Sequence, residues 1–147
     1  MKLDYNGLVD QNLANHTKSS LKINDPEKLT YYIDKTTGWE YLDSYSVDND
    51  KESIIMNDIG IYKLGHKEND ISFIQSVFKR IDEIIDLDFE EMSHNNGSII
   101  DIYSIESSTS MNENVVGQAI KQTSRAGKWW EILWKYTNTK NTKSLAD

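Results

Sequence analysis

The alternation of apolar and polar positions divides the chain into a short series of elements. Residues 28–34, "KLTYYID", place Leu29, Tyr31 and Ile33 on one face and are rich in β-formers, which predicts a strand. After Asn69 or Asp70, either of which can cap a helix, Ile71, Ile74, Val77, Phe78, Ile81, Ile84 and Ile85 recur at spacings of three and four. That stripe predicts an amphipathic helix to about Asp86, with Lys79, Arg80, Asp82 and Glu83 opposite. "LDFEEM" (87–92) reads as a second strand and "SHNNGS" as a turn, because Asn96-Gly97 is a strong turn signal. "IIDIYSI" (99–105) is apolar on both faces except at Asp101, as expected of a central strand covered on both sides. "VVGQAI" (115–120) reads as a short fourth strand. In "GKWWEILWKY" (127–136), Trp130, Ile132, Trp134 and Tyr136 share one face, and Trp129, Glu131, Leu133 and Lys135 the other.

The remainder is less patterned. Residues 1–26 read as a polar N-terminal extension with a short ordered piece at "SLKIN", and 138–147 as a polar tail, leaving 27–137 as the folded unit. Residues 35–69 read as a long loop-like insertion, in which "IIMNDIGIYKL" forms a strand or a turn of helix. A helix between the first two strands permits a right-handed parallel crossover. The expected fold is α/β (α+β): a twisted, mostly parallel five-stranded sheet with an antiparallel edge strand and one long helix packed on it.

Composition narrows the function classes. At 147 residues the chain is the size of one domain. No stretch approaches the roughly 20 apolar residues of a membrane span, and the first residues lack the apolar core of a secretory signal. Without cysteine there are no disulfides and no thiolate zinc sites. The net charge of −8 argues against general nucleic-acid binding, although residues 121–147 carry 6 basic and 2 acidic side chains around the tryptophans. Aromatics packed inward with lysines solvated outside is the preferred reading of that end, with single-stranded nucleic-acid binding as a minor alternative.

Few residues suggest chemistry. His16, His66 and His94 are widely separated, in polar surroundings that read as solvated loop. Asp48, Asp50 and Glu52 alternate in "SVDNDKES" and could grip calcium, but the segment lacks the glycine and distal glutamate of an EF-hand loop and reads as an acidic loop. Glu90 and Glu91, beside Asp86 and Asp88, read as solvated charge on a strand end rather than an acid–base pair. Asp101 within an apolar strand either needs buried partners or marks the more open sheet face.

The order of these segments resembles the N-terminal half of the catalytic domain of a metzincin zinc metallopeptidase, closest to the serralysins. "KLTYYI", "FIQSVFKRIDEIIDLDFEEM", "GSIIDIYSI", "VVGQAI" and "AGKWWEILW" look like its first strand, first helix with second strand, third strand, edge strand and fifth strand, over roughly residues 28–136. The resemblance implies a secreted, zinc-dependent peptidase whose fifth strand leads to a helix bearing H-E-x-x-H-x-x-G-x-x-H. No such motif occurs in this sequence, and the downstream glycine-aspartate repeats of serralysins are absent too. The chain is therefore expected to be an N-terminal fragment of such an enzyme, inactive alone, and partnered in the family by a peptide or protein substrate and a C-terminal half. Zinc, with calcium as a second ion, is implied only for a full-length homologue; no catalytic or metal residue is expected here. By the same resemblance the backbone of Val116, Gly117, Gln118, Ala119 and Ile120 would face an extended peptide, although "KQTSR" follows where the family often has proline. The alternative is a non-catalytic protein- or peptide-binding module using that edge strand. The location is extracellular by resemblance, or cytoplasmic for a stranded fragment; no membrane partner is expected.

Overall fold

The structure, a computed structural model, describes residues 11–24, 27–48, 53–85, 87–124 and 127–136. Nine elements follow one another: α1 (Gln11–Asn24), β1 (Lys28–Ile33), β2 (Gly38–Asp48), β3 (Ser53–Lys63), α2 (Glu68–Asp82), β4 (Asp88–Met92), β5 (Ile100–Ser108), β6 (Gly117–Ser124) and β7 (Gly127–Lys135). All seven strands belong to one mixed sheet.

The expected fold class is corrected on three points. The sheet has seven strands, not five, because residues 38–63 form a β-hairpin with β2 and β3 paired antiparallel from Gly38↔Lys63 to Asp48↔Ser53. Parallel pairings (β1 with β4 and β5, β5 with β7) are matched by antiparallel ones (β2 with β3, β3 with β5, β6 with β7), so the sheet is mixed. There are also two helices of similar length, 14 and 15 residues, instead of one long one. α1 forms within the polar extension, and α2 starts after Lys67, two to three residues before the expected caps, and ends at Asp82. Ile84 and Ile85 therefore fall beyond the helix, and Ile84 is the most exposed large apolar residue described, at 81%.

β5 organises the sheet. One of its edges is covered by β7 over Ile100–Ile105, and the other is shared by two strands. β1 occupies the first part in parallel, Tyr31↔Ile100 to Ile33↔Ile102. β3 takes over in antiparallel, from Lys63↔Ile105 to Ile61↔Ser108, with a bulge between Tyr62 and Lys63. The handover is stitched by Asp34 N to Ile102 O and Leu64 N to Ser104 O, both 2.9 Å.

Two apolar clusters lie on opposite faces. Leu29, Tyr31, Ile33, Ile74, Ile99 and Ile102 form the helix-side core, with Leu21 of α1 and Ile71 and Phe78 of α2 packed on it. Phe78 stacks on Tyr31 at 4.0 Å between ring centroids. On the other face the hairpin rolls over the sheet, bringing Leu42, Ile59 and Ile61 against Tyr103, Ile105, Ile120 and Leu133. β2 thereby comes alongside β6, although it does not join that strand's ladder.

Close approach at Gly65 holds the returning hairpin to the end of β1. Its φ of +67° is left-handed, and a Cβ there would lie 2.7 Å from the Lys35 carbonyl oxygen. Gly65→Ala combines the left-handed penalty of about 1–2 kcal/mol with a collision against main chain. A loss of at least about 2 kcal/mol in urea unfolding is expected; a loss below 0.5 kcal/mol would show that the strap does not need this approach.

Candidate functional site

The expected substrate edge is β6, which among the described residues pairs only with β7. In an antiparallel ladder the residues alternately turn their N–H and C=O toward and away from the partner. Lys135 N donates to Val116 O at 2.9 Å, and the register runs Gly117↔Trp134 to Ser124↔Gly127. Positions 116, 118 and 120 therefore spend their main-chain groups on β7. Of the five residues expected to face a peptide, only Gly117 and Ala119 turn those groups outward, followed by Lys121 and Thr123 further along the same edge. Val116 precedes the strand and is 61% exposed. Gln118 Oε1 accepts from Ser110 Oγ at 2.8 Å. Ile120 points into the rolled core. Gly117 and Ala119 are exposed, although β2 comes alongside this strand.

The three histidines do not assemble. His16 is buried on α1, bonded to Trp129 O at 2.9 Å and set edge-on to Trp130. His66 is buried ahead of α2, with Trp134 6.3 Å away. Burial lowers both of their pKa values. His66 Nε2 has no hydrogen-bond partner among the described residues. His94 is exposed in the β4–β5 turn. Among the described residues no three histidine or acidic side chains converge as metal ligands. Asp50 and Glu52 lie outside the described residues, as does the side chain of Asp48. Glu90 and Glu91 sit in surface contacts, Glu90 with Lys28 at 2.8 Å and Glu91 with Gln75 Nε2 at 2.6 Å.

A buried polar constellation arises where β1 hands over to β3, and no periodic pattern along the chain marks it. Asp34, 2% exposed, accepts from Tyr32 Oη at 3.0 Å and from Thr36 Oγ1 at 2.9 Å. Lys63 Nζ donates to Thr36 Oγ1 at 2.7 Å, lies 3.7 Å from Asp34 and pairs with Glu40 of β2. Burial, followed by the neighbouring Asp34 carboxylate, pushes the Tyr32 phenol up to about 12. Asp101 is buried further along the same side, and its β7 partner in register, Glu131, accepts from Gln122 Nε2 at 2.7 Å. These groups lock hairpin and sheet together.

One cleft of about 360 Å³ lies at the C-terminal ends of β5 and β7, beside the start of α2. Leu64, Lys67, Asp70, Ser104, Glu106 and Tyr136 line it, with Lys67 Nζ 5.6 Å from the centre of the Tyr136 ring. Its charged groups have mixed sign and select no one ligand. Among the described residues no helix is long and apolar enough to cross a membrane. No family model, curated protein or solved structure compared with the chain matches it.

Proposed function

We propose that this chain binds extended peptide segments by strand addition to β6 and that it derives from the N-terminal half of a serralysin-like zinc peptidase, without hydrolysing peptides itself. The observation that supports the reading is the alternation along β6: an edge strand beside the tryptophan strand, turning the main-chain groups of Gly117 and Ala119 outward between small, exposed side chains. Main-chain hydrogen bonds supply the affinity in this mode of recognition, so selectivity for peptide sequence is low. The lack of an H-E-x-x-H segment in the sequence supports binding without cleavage.

A proline substitution separates the outer edge from the inner ladder. Ala119 directs its N–H away from β7, so Ala119→Pro removes an outward donor without removing a ladder bond, as edge strands tolerate. With a pool of fluorescently labelled decapeptides rich in β-branched residues, the wild-type chain is expected to raise anisotropy and leave the peptides intact, with or without added zinc. Ala119→Pro is expected to lose at least tenfold in affinity while its melting temperature changes by only a few degrees. Equal binding by the two proteins, or no binding by the wild type at millimolar concentration, would overturn the edge reading. Zinc-dependent cleavage would overturn the non-catalytic one.

A further inference from the structure

The outer face of the hairpin carries large aromatic rings that the core does not use. Alternate residues of a strand share a face, so Trp39 and Tyr41 of β2 stand beside their partners in register on β3, Tyr62 and Gly60, with Asp58 two residues further on. Trp39 is 66% exposed and Tyr41 70%. The helices pack beside this face, α1 on β7 and β1, and α2 on β4. Single exposed apolar residues are ordinary on a protein surface, whereas two large rings side by side mark a contact surface.

The rings are held in place. A Cβ on Gly60 would lie 3.4 Å from Tyr41 Cε1 and 3.7 Å from Cδ1, so one side of the tyrosine ring rests on the glycine main chain. Gly60 is itself fixed by Thr109, whose N–H donates to Gly60 O at 2.9 Å and whose hydroxyl accepts from Gly60 N at 3.0 Å. Trp39 meets the half-buried Tyr62 edge to face, with ring centroids 5.3 Å apart. Rings ordered in this way lose little freedom when a ligand stacks on them.

Charge decides which ligand that is. The face of an aromatic ring is electron-rich and attracts cations. Asp58 is exposed and lies diagonal to Tyr41 across the two strands, within reach of a long side chain stacked on the ring. No described residue on this face of the hairpin is basic, and the whole chain carries a net charge of −8. The Tyr136 ring differs, since Lys67 already sits over it at 5.6 Å. A neutral sugar would use the rings alone. A guanidinium uses rings and carboxylate together, because it is planar, stacks, and presents paired N–H donors.

We propose that the outer face of the β2–β3 hairpin binds arginine side chains of an extended peptide segment, which stack on Trp39 and Tyr41 while one of them pairs with Asp58. Alternate side chains of an extended segment fall about 7 Å apart on one side, the same step that separates the two rings, so an Arg-x-Arg segment matches the platform. The site uses side chains on a sheet face and does not rest on strand addition to β6.

A fluorescently labelled peptide, Ser-Gly-Arg-Ser-Arg-Gly-Ser, supplies the test, read by anisotropy at low salt. The wild-type chain is expected to bind it, and to bind the citrulline version, similar in shape but uncharged, at least about tenfold more weakly. Trp39→Ala leaves the net charge unchanged and is expected to weaken binding about fivefold, as is Asp58→Asn. Binding should also weaken as salt is raised. No binding by the wild type at millimolar concentration, equal binding of the citrulline peptide, or equal binding by Trp39→Ala would overturn the proposal. A second reading needs no variant: in the wild type, the NMR signal of the Trp39 indole N–H is expected to shift when the arginine peptide is added. Shifts confined to the other tryptophans would place the peptide elsewhere. A Trp39 shift with a neutral glucose oligosaccharide and none with the peptide would assign the rings to sugars; either result overturns the arginine site.

Discussion

Lys63→Met is expected to cost the domain about 3–5 kcal/mol of stability. The methionine keeps the aliphatic stem but takes the ammonium from a site where Lys63 is only 9% exposed and where it meets Asp34, Glu40 and Thr36. Asp34, buried on every side, is left with the neutral donors Tyr32 and Thr36. Breaking one side of a buried pair typically costs about 3–5 kcal/mol, because the remaining charge stays desolvated. Domains of this size are stable by about 5–15 kcal/mol, so the variant should be partly unfolded or melt far below the wild type. Adding Asp34→Asn to Lys63→Met should recover part of the loss, since the stranded charge is then gone. Urea unfolding of the four proteins of this cycle decides the matter. A single-variant loss under 1 kcal/mol would mean that water reaches the network.

The second large effect concerns packing in place of charge. Leu133 is fully buried on β7, in the cluster that joins the rolled hairpin to β6. Leu133→Ala is expected to cost about 2–5 kcal/mol, the transfer term plus a cavity that rigid strands on three sides cannot close. The urea midpoint should fall without a change in slope, because the roll stays closed while losing contacts. No change in the pH dependence should accompany it. A cost under 1 kcal/mol would show the hairpin lying loosely on the sheet.

How far the fold could be read from the residues differed from element to element. β1 was legible because its alternation coincides with its burial, Leu29, Tyr31 and Ile33 being the inward residues. The hairpin was not, because its chemistry is inverted. Trp39 and Tyr41 stand 66% and 70% exposed on the outer face, while Glu40 and Lys63 turn toward the protein as an ion pair. A reading that sends aromatics inward and charges outward leaves residues 38–48 as loop, while the second hairpin strand, within "IIMNDIGIYKL", stayed open between a strand and a turn of helix. α1 escaped for a related reason: its inner face is built from His16 and Ser20, one turn apart, with Leu21 beside them, so no apolar stripe marks it. At α2 the stripe was real but ran on too far. The chain leaves the helix before Ile84 and Ile85 so that Asp88 N can reach Glu27 O at 2.8 Å and start β4 beside β1. β6 runs on to Ser124, past the expected end at Ile120, carried by polar Gln122, which is buried through its bond to Glu131.

For the candidate site, the sequence located the edge strand but could not say which residues look outward. That depends on whether Val116 or Gly117 makes the closely bonded pair with β7, a matter of register between segments far apart in the chain. The Asp34–Glu40–Lys63 network is equally tertiary in origin. Its members come from the end of β1 and from both hairpin strands, and no local pattern links them.

The edge of β5 shared by β1 and β3 has a bearing on how the chain acquires its structure. The two hairpin strands are separated by only four residues and can close within microseconds. β1 must instead find β4 across 60 positions, Lys28 to Asp88, and find β5 across 69, Tyr31 to Ile100. Loop closure on that scale is slow, and contacts of long sequence separation dominate folding rates. The early hairpin therefore fixes where the last part of β5 can pair. It also tethers the end of β1 through Gly65 and Asp34, so that the slow parallel strand arrives with its register already constrained.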